Sequence, residues 1–382
     1  MVDNTVNFDD ILSSEWNSWY KIKGKGAPKS KYEENKIRSL QGGFIAIFNE
    51  GLIQNKRAPE FNFDSEEEQN EIKVYKNFDE SKFNFNSCPQ EEILFYVNLD
   101  DEIIFTKEQN KQLDEKNLDE FENNCDKSLN EFINHPIIAN VSPIAKNHSL
   151  ITVYPEECLP QVIGQDILSL VLTTFKLSNS PHMRLGFNSL GAFSSVNHLH
   201  FQILYADELF PQEKIFPIEK ANKKLVLCST LQNDQEEINM YSVGVRVEEL
   251  VGYIVKGLVF SPVGSEGQDI SDIFSSLAFA VGAYTNILLD EQIPHNIFIS
   301  ERGQKIYVVP RQYENETKDY HHLCKPAFLE TAGAFIVRDQ KFFNELTIEG
   351  VHQFFNKYVQ LSESQFNGTV SKFKSLLLQN FQ

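Results

Sequence analysis

The sequence has little cysteine, and none of it is paired by spacing. Cys88, Cys125, Cys158, Cys228 and Cys324 are scattered through 382 residues, and the closest two, Cys125 and Cys158, are 33 apart. That excludes a CxxC zinc or redox motif. The odd number also suits a reducing compartment better than a disulfide framework. Positive charge is scarce as well: 35 Lys and Arg against 54 Asp and Glu leave a net charge of −19. Binding to a nucleic-acid backbone or an anionic membrane surface needs clustered cations, so neither a nucleic acid nor a membrane is expected as a partner. A small phosphorylated substrate stays open, because a local basic pocket can sit on an acidic protein. No long run is free of polar residues. The most apolar stretch, 273–289, contains Ser275, Ser276, Thr285 and Asn286 and reads as a buried helix rather than a bilayer span. The N-terminal MVDNTVNFDD carries no apolar core of a secretory signal, which with the cysteines gives an expectation of a cytoplasmic protein.

Hydrophobic residues make up 41 % of the chain and there are 31 Phe, enough for a large packed core. Residues 1 to about 40 are polar, with Trp16 and Tyr20 as anchors. Short apolar runs at 42–48, 137–141, 149–153 and 184–187, and the segment HLHFQILYA from His198, read as strands. Residues 92–106 read as a hairpin turning on Asn98, Asp100 and Asp101. The spacing of apolar residues over 165–177 predicts one amphipathic helix. The acidic, Asn-rich segment 107–130 reads as a solvated helix or insertion. A second series follows: a strand at 257–260, a helix at 270–289, and a hairpin from 295 to 309 around Arg302 and Gly303. Strand pairs alternating with a helix predict an α+β fold on antiparallel sheets, with two halves in a similar order. The expected division is an N-terminal extension (1–40), a catalytic half (41–240) and a C-terminal half (241–382).

The chemistry is expected in Asn188–Gln202, NSLGAFSSVNHLHFQ. In a strand, residues two apart share a face. His198, His200 and Gln202 would therefore point one way, with Leu199, Phe201 and Ile203 in the core. The loop before them is rich in Gly, Ser and Asn, which lets main-chain N–H groups approach an anion. Two chemistries fit a His-x-His strand. One is metal ligation. The other is a nucleophilic imidazole forming a phosphoramidate. Gln202 stands where a third ligand would be wanted, an amide is a poor ligand for zinc or iron, and a phosphate loop serves no bare metal site. The nucleophile is the favoured reading.

The segment RLGFNSLGAFSSVNHLHFQ resembles the active-site signature of the histidine-triad-like nucleotidyl transferases. Within them it is most similar to the GDP-D-glucose and GDP-L-galactose phosphorylase family. NEGLIQNKRAPEF, KFNF with QEEILF, NVSPIAKNHSLITVYP, FPQEK, KGLVF and IPHNIFIS follow in that family's order, so the resemblance covers roughly residues 8–380. It implies a histidine-triad-like fold and transfer through a covalent guanylyl-histidine. His200 matches the nucleophile and His198 would position it, while Gln202 would contact a phosphate oxygen. Asn188, Gly191, Ser194 and Ser195 would shape the phosphate loop, although Ser195 also suits a plain turn. Lys56 and Arg57 are candidates for the nucleotide phosphates, or a solvated pair. Asn84 is a candidate for the nucleoside pocket, or a turn residue. His148 is read as structural. His295, His321, His322 and His352 are read as surface or satisfied core residues. The implied substrates are a GDP-hexose, with GDP-D-glucose favoured over GDP-L-galactose, and inorganic phosphate. No cofactor and no metal are expected, and a homodimer is expected from related transferases. The rivals are a dinucleoside-polyphosphate phosphorylase or hydrolase, a metal-dependent enzyme using His198 and His200, and a nucleotide-binding scaffold protein without catalysis.

Overall fold

The computed structural model describes residues 7–55, 74–112, 134–228, 243–313 and 324–380. The chain starts with helix α1 (Phe8–Tyr20) and the hairpin β1 (Lys36–Ser39) and β2 (Ile45–Phe48). Next come β3 (Ile93–Asn98), β4 (Ile103–Phe105), β5 (His135–Ala139), β6 (Ser149–Thr152), helix α2 (Gln165–Leu172), β7 (Met183–Asn188) and β8 (His200–Tyr205). The second series is β9 (Asn222–Cys228), β10 (Gly244–Val251), β11 (Leu258–Val263), helix α3 (Ile270–Asp290), β12 (His295–Ser300) and β13 (Lys305–Pro310). Helix α4 (Phe328–Ala332), β14 (Ala334–Ile336), α5 (Ile348–Tyr358) and α6 (Glu363–Asn380) complete the described elements. The fold is α+β.

The large sheet has eleven strands in the order β4-β3-β5-β6-β8-β7-β12-β13-β11-β10-β9, and its pairs are antiparallel. The order repeats. In sequence, β5, β6, α2, β7 and β8 give the lateral order β5-β6-β8-β7. In the same way β10, β11, α3, β12 and β13 give β10-β11-β13-β12. The two sets meet back to back where Asn188 pairs Asn296 and Leu185 pairs Ile299. We infer from this order that they are the two related halves expected above.

Alternation along the strands sorts side chains to two faces. On one face Phe201 and Ile203 of β8 join Leu168 and Val171 of α2, Leu277 and Val281 of α3 and Phe373 of α6 in the main core. Helix α3 is long and apolar enough to cross a bilayer by length and composition. It is packed inside the fold instead, with its Tyr284 hydroxyl 3.0 Å from Thr369 Oγ1 of α6. Its N-terminus is capped by Asp269, whose carboxylate accepts from the Ser271 N–H. Across the C-terminal half, the other face is covered by α4, α5 and a three-stranded sheet β1-β2-β14. Here β14 lies parallel to β2, so segments from opposite ends of the chain share one sheet. The β1–β2 hairpin also crosses residue 40, where the sequence suggested a boundary. All four residues of β2 are buried, and a buried strand needs partners on both edges for its main chain. Across the N-terminal half the same face carries, among the described residues, a small cluster of Phe85, Cys88, Ile93, Ile138 and Val196, while Leu204 of β8 joins the C-terminal cluster.

Two expectations shift in detail. The predicted helix over 165–177 breaks at Thr173, whose N–H bonds the Leu170 carbonyl at 3.0 Å in a tighter turn, and a separate turn of helix follows at Thr174–Leu177. The strand expected from His198 starts at His200. Trp16 is fully buried as expected, and its indole N–H donates to the His148 carbonyl at 3.2 Å, tying α1 to the strand beside β8.

Two buried histidines make the fold sensitive to acid. Burial pushes His135 of β5 and His295 of β12 down from 6.5 to about 4. Below pH 6.5 the unfolded imidazoles take up protons that the native ones refuse until about pH 4, so protonation favours the unfolded chain. Stability should fall as pH drops through that window, by about 1.4 kcal/mol per pH unit for each histidine. Urea midpoints at pH 7.5, 6, 5 and 4.5 would check this; a flat profile contradicts it.

Candidate active site

Strand β8 begins where His200 pairs with Thr152 of β6, and Gln202 lies between Leu150 of β6 and Gly186 of β7. With Phe201 and Ile203 turned into the core, His200 and Gln202 line a cleft on the other side of the sheet. The His200 ring is only 8 % exposed. Its Nδ1–H donates to the His198 carbonyl at 2.8 Å. That bond fixes the neutral tautomer and puts the lone pair on Nε2, the atom that can attack an electrophile.

The main chain of His200 is held by Gln161, which is 1 % exposed. Gln161 Oε1 accepts from the His200 N–H at 2.9 Å, and its amide NH2 donates to the carbonyls of His200 and Asn188, both at 3.1 Å. Gln161 N–H in turn donates to Asn197 Oδ1 at 3.0 Å. Sequence reasoning missed this clamp, because a glutamine far from the motif carries no local signal.

His198 precedes the strand and is fully buried, outside the cleft wall, but its ring lies against Phe85 as that of His200 does, at 5.7 and 5.0 Å. Its Nδ1 accepts from the Phe85 N–H at 3.0 Å, and its Nε2–H donates to the Pro155 carbonyl at 3.1 Å. Phe78 meets the ring edge-on at 5.0 Å. Burial lowers the His198 pKa, which keeps the ring neutral. With one nitrogen donating and the other accepting, the ring has no lone pair to offer a metal. The metal reading of the His198–His200 pair fails on that geometry. The Pro155 carbonyl sits in a turn bounded by Tyr154 and Cys158, at φ of 47° and 53°. Left-handed backbone at such residues costs on the order of 1–3 kcal/mol and persists only where its surroundings enforce it.

His148 lines the cleft beside Gln202. Its Nδ1 accepts from the Ile144 N–H at 3.2 Å, so the proton is on Nε2, which lies 3.0 Å from Gln202 Oε1. The Asn140 NH2 lies 3.1 Å from the same nitrogen but, being a donor too, makes no hydrogen bond with an Nε2–H. With its oxygen held by His148, Gln202 offers its NH2 end to a bound anion.

The remaining candidates divide. Ser195 and Asn188 line the cleft. Asn188 also fastens the C-terminal half: its Oδ1 accepts from the Phe328 N–H at 2.8 Å and from Asn296 Nδ2–H at 2.7 Å. Gly191, Ser194 and Asn84 are not in the cleft wall. Gly191 is at φ 75°, and a Cβ there would lie 2.7 Å from the Tyr313 ring, so packing rather than anion approach requires the glycine. Ser194 Oγ–H donates to the Val196 carbonyl at 3.0 Å. Asn84 Nδ2–H donates to the Lys82 carbonyl at 3.2 Å, while its neighbours Phe83 and Phe85 line the cleft. Lys56 and Arg57, with His321 and His322, lie outside the described residues. The described cations in the wall are Lys29 and Lys325, neither of which sits in a recognisable motif. Glu92 and Glu330 line it too.

Residues 7–204 match the N-terminal domain of the GDPGP1-like proteins, and residues 229–380 match their C-terminal domain. The chain belongs to the GDPGP1-like family. GDP-L-galactose phosphorylase 1 of Arabidopsis thaliana is 33 % identical over 73 % of this chain and 52 % of its own length. GDP-L-galactose phosphorylase 2 of Arabidopsis thaliana is 32 % identical over 87 % of this chain and 68 % of its own length. GDP-D-glucose phosphorylase 1 of Danio rerio is 27 % identical over 92 % of this chain and 86 % of its own length. The chain thus spans about half of the first of these relatives. In GDPGP1-like terms, His200 and Gln202 come from the N-terminal domain, while Lys325, Phe328 and Glu330 reach the cleft from the C-terminal domain.

Replacing Gln161 by Leu removes the clamp at nearly constant size. Three buried main-chain groups lose a partner, and each unsatisfied group costs about 1–3 kcal/mol. Chemical denaturation of Gln161→Leu should show a loss of several kcal/mol; a change below about 1 kcal/mol would mean the clamp contributes little.

Proposed function

We propose that the chain is a GDP-hexose phosphorylase that works through a guanylyl-His200 intermediate. The observation that carries this reading is the Nδ1–H bond to the His198 carbonyl, which in the neutral ring leaves the lone pair on Nε2 of a residue that lines the cleft. Nε2 attacks the phosphorus attached to guanosine. A P–N bond forms, the P–O bond to the sugar phosphate breaks, and hexose 1-phosphate leaves with the electron pair. An oxygen of inorganic phosphate then attacks the same phosphorus, the P–N bond breaks, and GDP leaves with His200 neutral again.

The surroundings support each part. The ring becomes cationic when it is guanylylated, and the carbonyl of His198 stabilises the N–H at Nδ1. The Gln202 NH2 group, held from behind by His148, donates to a non-bridging oxygen as charge develops there. A carboxamide moves no proton, which is sufficient when leaving group and attacking group are both phosphate anions. Ser195 adds a hydroxyl and Lys325 a cation to the cleft wall. The names of the relatives support a GDP-hexose as substrate. GDP-D-glucose is the first to test. GDP-L-galactose is the alternative, which the higher identity to the Arabidopsis thaliana enzymes favours.

Purified protein incubated with GDP-D-glucose or GDP-L-galactose should release GDP and hexose 1-phosphate only when phosphate is added. Without phosphate, acid-labile guanylyl protein should accumulate. His200→Ala should abolish that label and lower turnover by about 10⁴-fold or more. GDP formed without phosphate, or both sugar nucleotides left intact, would sink the proposal and bring forward a dinucleoside polyphosphate as substrate. A second test concerns the positioning of Gln202. His148→Phe and Gln202→Leu should lower kcat by similar factors, and the double variant should fall little below either single one. Additive losses would show that the two side chains act separately.

A further inference from the structure

The cleft does not end at His200. It runs across the sheet from β8 to the start of β3, through the register Gln202–Leu150, Leu150–Ile138 and Ile138–Ile93. Three inter-strand steps make about 14 Å, the reach of a nucleoside monophosphate whose phosphorus sits at His200. The floor of this arm is apolar, formed by Ile138, Leu150 and Val196, and the rings of Phe83 and Phe85 stand beside it. A flat aromatic base fits such a slot.

At the far end the lining changes from apolar to charged. Glu92 and Lys29 are both in the wall there. Their main chains flank one corner of β5: Ala139 N–H donates to the Glu92 carbonyl at 2.8 Å, and Lys29 N–H donates to the Val141 carbonyl at 2.6 Å. The loop that carries Lys29 packs on the carboxylate stem, since a Cβ on Gly26 would lie 3.6 Å from Glu92 Cγ. The Cys88 thiol donates to Glu92 Oε2 at 3.3 Å, which orients the carboxylate.

We infer that Glu92, with Lys29 beside it, reads the Watson–Crick edge of guanine. The inference rests on the proposed use of a guanosine nucleotide. Guanine presents two adjacent donors, N1–H and the 2-amino group, next to the acceptor O6. A carboxylate accepts from both donors, and an ammonium donates to the acceptor. Adenine reverses the pattern. Its unprotonated N1 would set an acceptor against the carboxylate, and its 6-amino group a donor against the ammonium. A site built to hydrogen-bond one group rejects the analogue that lacks it far better than an apolar wall can.

The test compares GDP-D-glucose, its inosine analogue and ADP-D-glucose as substrates of the full-length protein, with GDP and ADP binding measured by calorimetry. The wild type should favour guanine over adenine by about 100-fold or more, with the inosine analogue between them. In Glu92→Gln the guanine preference should shrink to about 10-fold or less, through KM rather than kcat, and the 2-amino group should lose most of its effect. Lys29→Gln should narrow the preference through O6 alone, leaving the effect of the 2-amino group intact. If Glu92→Gln does not fold, the wild-type inosine comparison and Lys29→Gln decide. A wild type indifferent to the base, or variants that lose activity on all three substrates equally, overturn the inference. A wild type that splits no GDP-hexose yet binds GDP over ADP through Glu92 would sustain it while the phosphorylase reading fails.

Discussion

A single proton on His200 Nδ1, held by the carbonyl of His198, sets the requirements for the surrounding structure. A neutral imidazole has one N–H and one lone pair, and the side that holds the proton decides which nitrogen can attack. The carbonyl must therefore point back at the ring rather than across to a neighbouring strand, so pairing in β8 starts at His200 itself. His198 is then carried below the cleft, where the Phe85 N–H and the Pro155 carbonyl occupy both of its nitrogens. The left-handed backbone at Tyr154 and Cys158 bounds the turn that presents Pro155. Gln161 closes the arrangement from the other side by bonding both main-chain groups of His200.

The sheet supplies the rigidity that this arrangement needs. Two units of the same strand order share one ladder at β7 and β12, and Asn188 sits at that seam with its side chain bonded to Asn296 and to the main chain of Phe328. A substrate spanning the cleft would touch both halves, since the imidazole and amide come from one and Lys325 from the other. The chain is strongly acidic overall, yet Lys29 and Lys325 line the cleft, which is how an acidic protein can still accept a polyanion.

Much of this was legible in the residues. Runs of apolar residues with period two, alternating with longer amphipathic segments, announced the antiparallel sheets, and HLHFQ marked the strand that brings His200 and Gln202 to the cleft, because both depend on neighbours close in sequence. The contact of His148 with Gln202 was not legible. Its spacing from Gln202 means nothing until β6 and β8 lie side by side. Gly191 packs against the ring of Tyr313 and Ser194 bonds the carbonyl of Val196, contacts that the motif does not reveal.

The sequence by itself determined the fold class, the order of elements and the segment that brings His200 and Gln202 to the cleft, since each is written in local periodicity or in a contiguous motif. Only the tertiary structure decided the tautomer of His200, the direction of the Gln202 amide, and the placement of Lys29, Glu92, Gln161 and Lys325 around the cleft. Those depend on hydrogen bonds and strand registers between segments far apart in the chain, and no window of sequence contains both partners.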